Sequence, residues 1–388
     1  MRYIITIWIS LVILLSGCNS RSVDTMQSKI DQISKKYVPD KRVAICNLKL
    51  VKRQRDRYIL QGESMFPAAR TEILQLLIGE GYKTVDSVLI LPDSIHLENR
   101  WGLISLSVAN LRSKSAHSSE LISQAIMGTP VKLLKESDDW FLVQTPDCYI
   151  SWTNKSSVQE MGDLAFKDWQ KADRLIYTNT CGTIFQDEKQ TAVLSDLVAG
   201  AIVVKLSENQ FSTQVSLPDG RLGFVSKQNW LNFNRWKDTV SLNGDNMITC
   251  GKRYIGFPYL WGGTSSKALD CSGFVKTVCF LNGVVLERDA SQQIKHGIEV
   301  DMSAGWDKLL KGDLLYFGSK QPYRVTHTGM YIGEGDFIHE SGSVRINSFD
   351  ENRPAFNSEL NSKLLGARRI IGMPTEPGFW HVRQHNWY

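Results

Sequence analysis

The sequence predicts an α+β protein of several domains, and three observations support this. A helical pattern of apolar residues begins at Cys271 and is followed by predicted strands. Two earlier segments are rich in short strands and turn residues. Near the start, predicted strands flank a helix that begins at Pro67. The chain has 388 residues, enough for roughly two to four such domains.

Composition and charge describe an ordinary globular chain. Hydrophobic residues make up 42% of the sequence and charged residues 22%, so sizeable cores are expected. The 45 basic and 40 acidic residues leave a net charge of +5, and no basic run is interleaved with aromatic residues. This balance is too mild to favour a nucleic-acid partner, and we expect none.

Residues 1–18 have the design of a lipoprotein signal peptide. A charged start precedes an apolar run over residues 4–15, which is shorter than a membrane span needs. The run leads into Leu15-Ser16-Gly17-Cys18, which resembles a bacterial lipobox, whose cysteine is acylated and becomes the mature N-terminus. The resemblance implies export to the cell envelope and a membrane partner reached through a lipid on Cys18. The alternative is a plain secretory signal with an incidental cysteine.

The other cysteines show no metal or disulfide pattern. None of the six beyond residue 18 forms a C-x-x-C pair, so neither a zinc site nor a disulfide framework is implied. We expect no metal and no cofactor. Isolated cysteines among apolar neighbours, such as Cys46 and Cys279, are expected to be small core residues. An exported chain could nevertheless pair two of the cysteines.

A polar, partly helical tether and a small α/β unit are expected over residues 19–100. Strands are predicted at Val43–Val51 and Tyr58–Leu60, on either side of a basic turn. The helix from Pro67 comes next, and a third strand runs from Val85 to Leu91. Nothing in this unit has the pattern of a catalytic site.

Two small β-barrels are predicted over residues 101–158 and 174–236, because each segment has closely spaced strands and turns. The first contains Ser-Val-Ala-Asn-Leu-Arg, Gly-Thr-Pro-Val-Lys-Leu-Leu, Asp-Trp-Phe-Leu-Val-Gln and Tyr-Ile-Ser-Trp in this order. It resembles a bacterial SH3-like domain, and the second segment looks like a more divergent one. A helix is expected to connect them over residues 159–173, since Ser157 and Glu160 have the spacing of a capping box.

Residues 243–373 are predicted to form a catalytic domain. Cys271 begins a helix, where backbone N–H groups and the positive end of the helix dipole favour a thiolate. A cysteine nucleophile needs a base and a group that orients the base. His327 and His339 lie on two predicted strands joined by a short turn, so an antiparallel hairpin can bring them together. Residues 374–388 are either a packing segment or a flexible tail.

Three motifs in this domain resemble the NlpC family of bacterial cell-wall cysteine peptidases. They are Asp-Cys-Ser-Gly-Phe, His-Thr-Gly-Met-Tyr-Ile-Gly and Ile-His-Glu-Ser-Gly, in that order. The resemblance implies a papain-like fold in which Cys271 is the nucleophile, His327 is the general base and His339 orients His327. With two SH3-like barrels ahead, the chain is similar to the dipeptidyl-peptidase VI group. That resemblance covers the chain from the first barrel to residue 373 and leaves the first hundred residues uncovered.

The same resemblance implies a pocket that recognises a free amine. Asp289 matches the family's acidic residue for an ammonium group, which must be paired once it is stripped of water. The first barrel is expected to contribute Glu120 and Tyr149, although Glu120 could be an ordinary surface carboxylate. Asp270 is either a helix N-cap or a substrate contact. The expected substrate-binding residues are Glu120, Tyr149, Tyr259, Asp270, Ser272, Asp289 and Ser291.

The leading hypothesis from the resemblance is a monomeric endopeptidase of cell-wall degradation or recycling. It would cut the bond between γ-D-Glu and a diamino acid, diaminopimelate or lysine, in peptidoglycan peptides with a free N-terminal L-Ala. One alternative is a wall-binding lipoprotein with a vestigial site. Another is an amidase or acyltransferase on the same fold.

Overall fold

The computed structural model describes residues 23–53, 57–303 and 305–388. The chain divides into two compact units, the first made of residues 1–41 and 45–90 and the second of residues 42–44 and 91–388. The predicted signal peptide, with Cys18, lies outside the described residues. Within the described part of the chain, no helix is both long and apolar enough to span a membrane.

The described part of the first unit has two helices and a three-stranded sheet. Its elements are α1 (Val23–Tyr37), β1 (Cys46–Lys52), β2 (Arg57–Ser64), α2 (Pro67–Gly79) and β3 (Lys83–Ile90). β1 and β2 pair antiparallel, whereas β3 pairs with β2 in parallel. The expected polar tether is helix α1, and it buries Met26 and Ile30, because residues four apart lie on the same face of a helix.

An antiparallel sheet covers residues 101–161 of the second unit. Its seven strands, all within described residues, are β4 (Trp101–Ile104), β5 (Val108–Arg112), β6 (Leu121–Ile126), β7 (Pro130–Ser137), β8 (Trp140–Gln144), β9 (Ile150–Asn154) and β10 (Val158–Met161). Their order across the sheet is β10-β4-β7-β8-β9-β5-β6. Leu111, Val131 and Phe141 are among the buried side chains of its core.

The connecting helix begins later than predicted. Helix α3 covers Asp163–Lys171 and has Gly162 as its N-cap, so the predicted capping box of Ser157 and Glu160 is wrong. Residues 158–161 instead form β10, which pairs antiparallel with β4. This pairing extends the first sheet, and the tertiary contact overrides the local sequence pattern.

A second antiparallel sheet follows α3, and helix α4 (Phe233–Thr239) comes after it. Its seven strands, again all described, are β11 (Arg174–Tyr177), β12 (Cys181–Phe185), β13 (Val193–Val198), β14 (Ile202–Glu208), β15 (Ser212–Ser216), β16 (Leu222–Ser226) and β17 (Trp230–Asn232). Their order is β13-β12-β16-β15-β14-β11-β17. When the strands of each sheet are numbered from one, both sheets have the order 7-1-4-5-6-2-3. The two sheets therefore share one topology.

The remaining residues form the domain that carries Cys271. Its elements are α5 (Gly244–Lys252), β18 (Thr264–Ser265), β19 (Ala268–Leu269), α6 (Cys271–Leu281), β20 (Val284–Leu286), α7 (Ala290–Gln293), β21 (Ile298–Val300), β22 (Leu314–Lys320), β23 (Tyr323–Gly333), β24 (Asp336–Ser341), β25 (Ser343–Ser348), α8 (Ser358–Lys363), β26 (Leu364–Arg369) and β27 (Phe379–His381). Six of these described strands form an antiparallel sheet in the order β21-β26-β22-β23-β24-β25. The apolar face of α6, with Phe274, Val275 and Val278, is buried in the core of this domain.

The first sheet is fixed to the segment that precedes Cys271. The backbone N–H of Thr264 donates to Gln124 Oε1 at 3.1 Å, and its hydroxyl donates to the Gln124 carbonyl at 2.8 Å. Lys276 of α6 forms an ion pair of 2.5 Å with Asp147, whose side chain is 1% exposed. These contacts hold residues of the first sheet at a fixed position relative to α6.

Residues 374–388 pack against the rest of the second unit, which is one of the two expected outcomes. β27 pairs antiparallel with β20, and the buried Tyr388 contacts the rings of Phe233 and Phe280. His385 Nε2 lies 2.9 Å from the carbonyl oxygen of Pro146. The segment therefore contacts α4, α6 and the loop between β8 and β9.

Candidate active site

Helix α6 begins at Cys271 because Asp270 caps it. The Oδ1 atom of Asp270 accepts the backbone N–H of Gly273 at 2.7 Å, which is the bond that an N-cap residue makes. Gly273 has no room for a side chain, since a Cβ atom would lie 2.0 Å from the carbonyl oxygen of Gly263. The cap and the glycine together place Cys271 as the first helical residue.

Asp270 also forms a buried ion pair with Arg288, which the sequence analysis missed. The two Nη atoms of Arg288 lie 3.1 and 2.5 Å from the two carboxylate oxygens, and both side chains are buried. The backbone N–H of Gly262 donates to the same carboxylate at 2.9 Å. Of its two expected roles, Asp270 fills that of the N-cap, and both its oxygens are engaged within the protein. The sequence feature that could have revealed this ion pair is a cationic residue, Arg288, directly before Asp289 in a segment that is buried.

Burial keeps the thiol of Cys271 protonated. The pKa of Cys271 is raised to about 11, first by burial and then by the negative charge of Asp270. Hydrogen bonds from the backbone N–H groups of Thr328 and Ser272 to the sulfur oppose the shift without cancelling it. The structure therefore favours the thiol in the free protein, contrary to the thiolate expected from the helix position.

The two candidate histidines lie on one antiparallel hairpin, β23–β24. Gly329 is directly opposite His339, and a Cβ atom at residue 329 would lie 2.9 Å from His339 Cβ. The glycine thus makes room for the second histidine. His327 Nε2 is 2.8 Å from His339 Nδ1, and His339 Nε2 is 2.8 Å from Asn347 Oδ1 on β25. No sequence signal marked Asn347, because it is one of several polar residues in an ordinary strand.

The hydrogen bonds of Asn347 decide which ring nitrogens carry a proton. Its Nδ2 donates to the carbonyl of Ala355 at 2.9 Å, so its Oδ1 faces His339 and accepts from His339 Nε2. The Nδ1 atom of a neutral His339 is then an acceptor for His327 Nε2–H. His327 Nδ1 is left with its lone pair, which is the form that a general base needs.

Both histidines are neutral at pH 7 because they are buried. Burial, followed by the nearby His339, lowers the pKa of His327 to about 3. Burial is also the main cause that lowers the pKa of His339 to about 4. The resting site thus combines a neutral thiol with two neutral imidazoles.

A cleft of about 970 Å³ opens at Cys271. Eight of the predicted site residues line it, namely Glu120, Tyr149, Tyr259, Asp270, Cys271, Ser272, Asp289 and Ser291. His327 and His339 are not among the lining residues; they lie in the sheet beside it, where the N–H of Thr328 contacts the sulfur. The structure therefore brings together every predicted site residue except Cys18, which lies outside the described residues.

Asp289 lies in this cleft with two hydrogen-bond donors on one carboxylate oxygen. The Tyr149 hydroxyl is 3.2 Å from Asp289 Oδ2, and Arg42 Nη1 is 2.8 Å from the same atom. Burial and the negative charge of Asp289 raise the pKa of Tyr149, so the hydroxyl keeps its proton and donates. Arg42 could not be found from the sequence, because its partner is 247 residues away and no local pattern marks it.

Glu120 is held in the cleft by Trp261. The indole Nε1 of Trp261 donates to Glu120 Oε1 at 2.8 Å. Next to this pair, a Cβ atom on Gly262 would lie 2.5 Å from the carbonyl oxygen of Leu121, so the two backbones approach closely. Tyr259 lies nearer the thiol, and its pKa is raised by burial first, and then by the nearby Cys271 and the negative charge of Asp270.

The described residues hold neither a cluster of metal ligands nor a disulfide. Within residues 23–53, 57–303 and 305–388, no group of three or more His, Cys, Asp and Glu side chains could bind a metal ion. The six cysteines of these ranges are free thiols. Cys46 and Cys279 are buried, as expected for core residues.

Comparison with known proteins confirms the predicted family resemblance. Residues 256–363 match the NlpC/P60 family, and residues 107–159 match the bacterial SH3 domain. A crystal structure of an NlpC/P60 family protein from Bacillus cereus ATCC 10987 is similar with a TM-score of 0.60 and 25% identity. It covers 70% of this chain and 99% of that one. The papain-like fold with an SH3 domain ahead of it is thereby confirmed.

Two curated relatives align with this chain over most of their own length. Dipeptidyl-peptidase 6 of Lysinibacillus sphaericus is 29% identical over 269 residues, which are 66% of this chain and 95% of the relative. The gamma-D-glutamyl-L-lysine dipeptidyl-peptidase of Bacillus cereus is 28% identical over 265 residues, 66% of this chain and 77% of the relative. From these matches and the motifs around Cys271, His327 and His339, the chain belongs to the NlpC/P60 family.

Proposed function

We propose that this protein is a cysteine peptidase that hydrolyses peptidoglycan peptides after their second residue. Its substrate would begin with a free L-Ala linked to γ-D-Glu and a diamino acid, diaminopimelate or lysine, and the product would be L-Ala-γ-D-Glu. The relatives' names, which refer to dipeptidyl-peptidases and to a γ-D-glutamyl-L-lysine bond, point to this bond.

The observation that carries the proposal is that one cleft contains both the buried thiol of Cys271 and the partly exposed carboxylate of Asp289. Cys271 and Asp289 line the same cleft, together with Glu120 and Tyr149 from the first sheet. A carboxylate in the cleft can pair with an ammonium group, so that neither charge is left uncompensated where water is partly excluded. If a peptide is held there by its amine, the bond that lies at Cys271 is always the same number of residues from the N-terminus.

The first half of the reaction would use His327 as a base. As the sulfur of Cys271 attacks the γ-carbonyl carbon, His327 Nδ1 accepts the thiol proton, and a C–S bond forms. The backbone N–H of Cys271, which has no acceptor within the helix, can donate to the developing oxyanion. His339, fixed by Asn347, keeps His327 in the required tautomer.

The second half would reverse the direction of proton transfer. The protonated His327 gives its proton to the leaving amine of the diamino acid as the C–N bond breaks. Burial, which lowers the pKa of His327 in the free protein, favours this proton donation. Water then attacks the thioester with His327 again as base, which releases the dipeptide and restores the thiol.

We also propose that residues 174–236 form a second SH3-like domain. Its sheet has the same strand order as the first sheet, and the first sheet contains the residues that match the bacterial SH3 domain. An experimental structure with a different strand order over these residues would contradict this assignment.

The localisation that we propose is the cell envelope, with the protein attached to a membrane through a lipid on Cys18. The support is the charged and apolar start followed by Leu15-Ser16-Gly17-Cys18. A tethered soluble enzyme of this kind could reach wall peptides without a membrane-spanning helix.

The reaction is tested by incubating L-Ala-γ-D-Glu-diaminopimelate or its lysine analogue with the protein and identifying the products by mass spectrometry. We expect release of L-Ala-γ-D-Glu and the free diamino acid. The Cys271→Ala variant should be slower by about a thousandfold or more, because it lacks the nucleophile. Equal turnover by this variant, or cleavage at another bond, would refute the proposed reaction.

The matched control is the same peptide with an acetylated alanine. Acetylation removes the ammonium group that Asp289 is proposed to bind, so we expect kcat/KM to fall at least about tenfold, the effect of roughly 1.4 kcal/mol. An unchanged kcat/KM would show that the cleft does not recognise the amine, even if the bond is cut as proposed.

The protonation state of Cys271 is tested by alkylation with iodoacetamide between pH 5 and 10. Since the thiol pKa is raised to about 11, the thiolate fraction is small at pH 7 and should grow about tenfold per pH unit. Site-resolved mass spectrometry would follow Cys271, with the exposed Cys181 as an internal reference. A rate plateau between pH 5 and 8 would instead indicate a thiolate–imidazolium pair.

Lipidation is tested by expressing the full chain in a bacterium fed with an alkyne-labelled fatty acid. We expect label on the wild type and none on Cys18→Ala, while Cys181→Ala should be labelled like the wild type. A wild-type protein that is exported but unlabelled would support the plain secretory signal.

A further inference from the structure

Arg42 extends into the cleft from a short segment that belongs to the second unit. Residues 42–44 are part of this unit although the residues on both sides are not. The backbone N–H of Ile150 donates to the Arg42 carbonyl at 2.8 Å, and Gln144 Nε2 donates to the Val43 carbonyl at 3.0 Å. Strands β8 and β9 thus hold this backbone, and the side chain lines the cleft.

The guanidinium of Arg42 binds the carboxylate that the proposed function assigns to the substrate. Its Nη1 atom is 2.8 Å from Asp289 Oδ2 and 2.8 Å from Ser291 Oγ. An arginine side chain is charged at every accessible pH. In the free protein, the negative charge of Asp289 is therefore balanced by the chain itself.

An incoming ammonium group would compete for the same carboxylate, whose side chain also accepts the backbone N–H of Gln292 as the cap of α7. Oδ2 of Asp289 already accepts from Arg42 and from Tyr149, so a third donor would crowd it. The Arg42 and Asp289 side chains are 33% and 30% exposed, and ion pairs with this degree of exposure are weak. The long Arg42 side chain can therefore turn into solvent while its hydrogen-bonded backbone stays in place.

We propose that the Arg42 side chain competes with the substrate's amine for Asp289. It leaves Asp289 when a peptide's N-terminal ammonium binds, and it returns when the peptide departs. This inference rests on the proposed function, since it assigns Asp289 to the substrate's amine. Arg42 then sets how tightly the cleft holds any free-amine peptide.

Arg42 also promotes release of the product after the reaction. The product L-Ala-γ-D-Glu keeps the same N-terminal ammonium as the substrate, so an amine subsite without competition would retain the product. Arg42 weakens the binding of both and returns to Asp289 as the dipeptide leaves. It is thus a specificity-determining residue that acts on affinity and product release, not on the chemical step.

The test measures binding of L-Ala-γ-D-Glu by isothermal titration calorimetry to full-length protein with Cys271→Ala, so that turnover plays no part. Adding Arg42→Ala should tighten the dipeptide Kd about two- to fivefold, because the ammonium no longer displaces a weakly held cation. Adding Arg42→Lys, which retains a cation on a flexible stem, should leave the Kd closer to that of the parent. The N-acetylated dipeptide should gain no affinity from Arg42→Ala.

The matched charge control is Arg324→Ala, which removes a cation from the same cleft lining. A gain equal to that of Arg42→Ala would overturn the proposal, because it would reflect net charge alone. Weaker or unchanged dipeptide binding in Arg42→Ala would also overturn it, and weaker binding would make Arg42 a ligand for a peptide carboxylate. Melting temperatures of all variants would show that each is folded.

Failure of this inference can be told apart from failure of the proposed function. If the wild type releases L-Ala-γ-D-Glu but Arg42→Ala does not tighten binding, only the role of Arg42 is wrong. If the wild type does not cut the tripeptide and the Cys271→Ala protein does not bind the dipeptide, the proposed substrate is wrong. The inference about Arg42 then fails with it.

Discussion

The buried ion pair between Asp270 and Arg288 is the contact on which the site depends. Asp270 caps α6 and so positions Cys271, while its partner Arg288 immediately precedes Asp289 in the chain. One interaction thereby fixes the thiol and the candidate specificity carboxylate relative to each other. Removal of either partner would leave an uncompensated charge in the interior, which is strongly destabilising.

Two carboxylates of the cleft are paired with arginines before a substrate arrives. Asp270 is paired with Arg288, Asp289 with Arg42, and Glu120 accepts a hydrogen bond from Trp261. The thiol and the two imidazoles are neutral because burial disfavours their charged forms. In this account a peptide brings its own charge to Asp289, and proton transfer from thiol to His327 accompanies attack on the bound carbonyl.

The catalytic part of the site could be predicted from the sequence because its signals are local. The apolar period after Cys271 and the two histidines on a short hairpin depend on residues close together in the chain. Long-range partners could not be found in this way. Arg42 meets Asp289 across 247 residues, and Asn347 has no pattern that separates it from its polar neighbours.

Two predictions from the sequence, the helix start at Ser157 and the thiolate of Cys271, differ from the structure for a similar physical reason. The spacing of Ser157 and Glu160 favours a helix start, but residues 158–161 gain more by pairing with β4. The helix position of Cys271 favours a thiolate, but the desolvation of the buried sulfur outweighs it. In both cases a local preference was outweighed by a tertiary environment that one sequence does not reveal.

The proposed reaction depends on the cleft binding a peptide by its free amine and presenting its second peptide carbonyl to residue 271. A crystal structure of the Cys271→Ala protein with L-Ala-γ-D-Glu-diaminopimelate would test it most directly. We predict the ammonium within hydrogen-bond distance of Asp289, Arg42 turned away from that carboxylate, and the γ-carbonyl carbon beside residue 271. A peptide bound in the opposite direction, with its ammonium in solvent and Arg42 still on Asp289, would contradict the account.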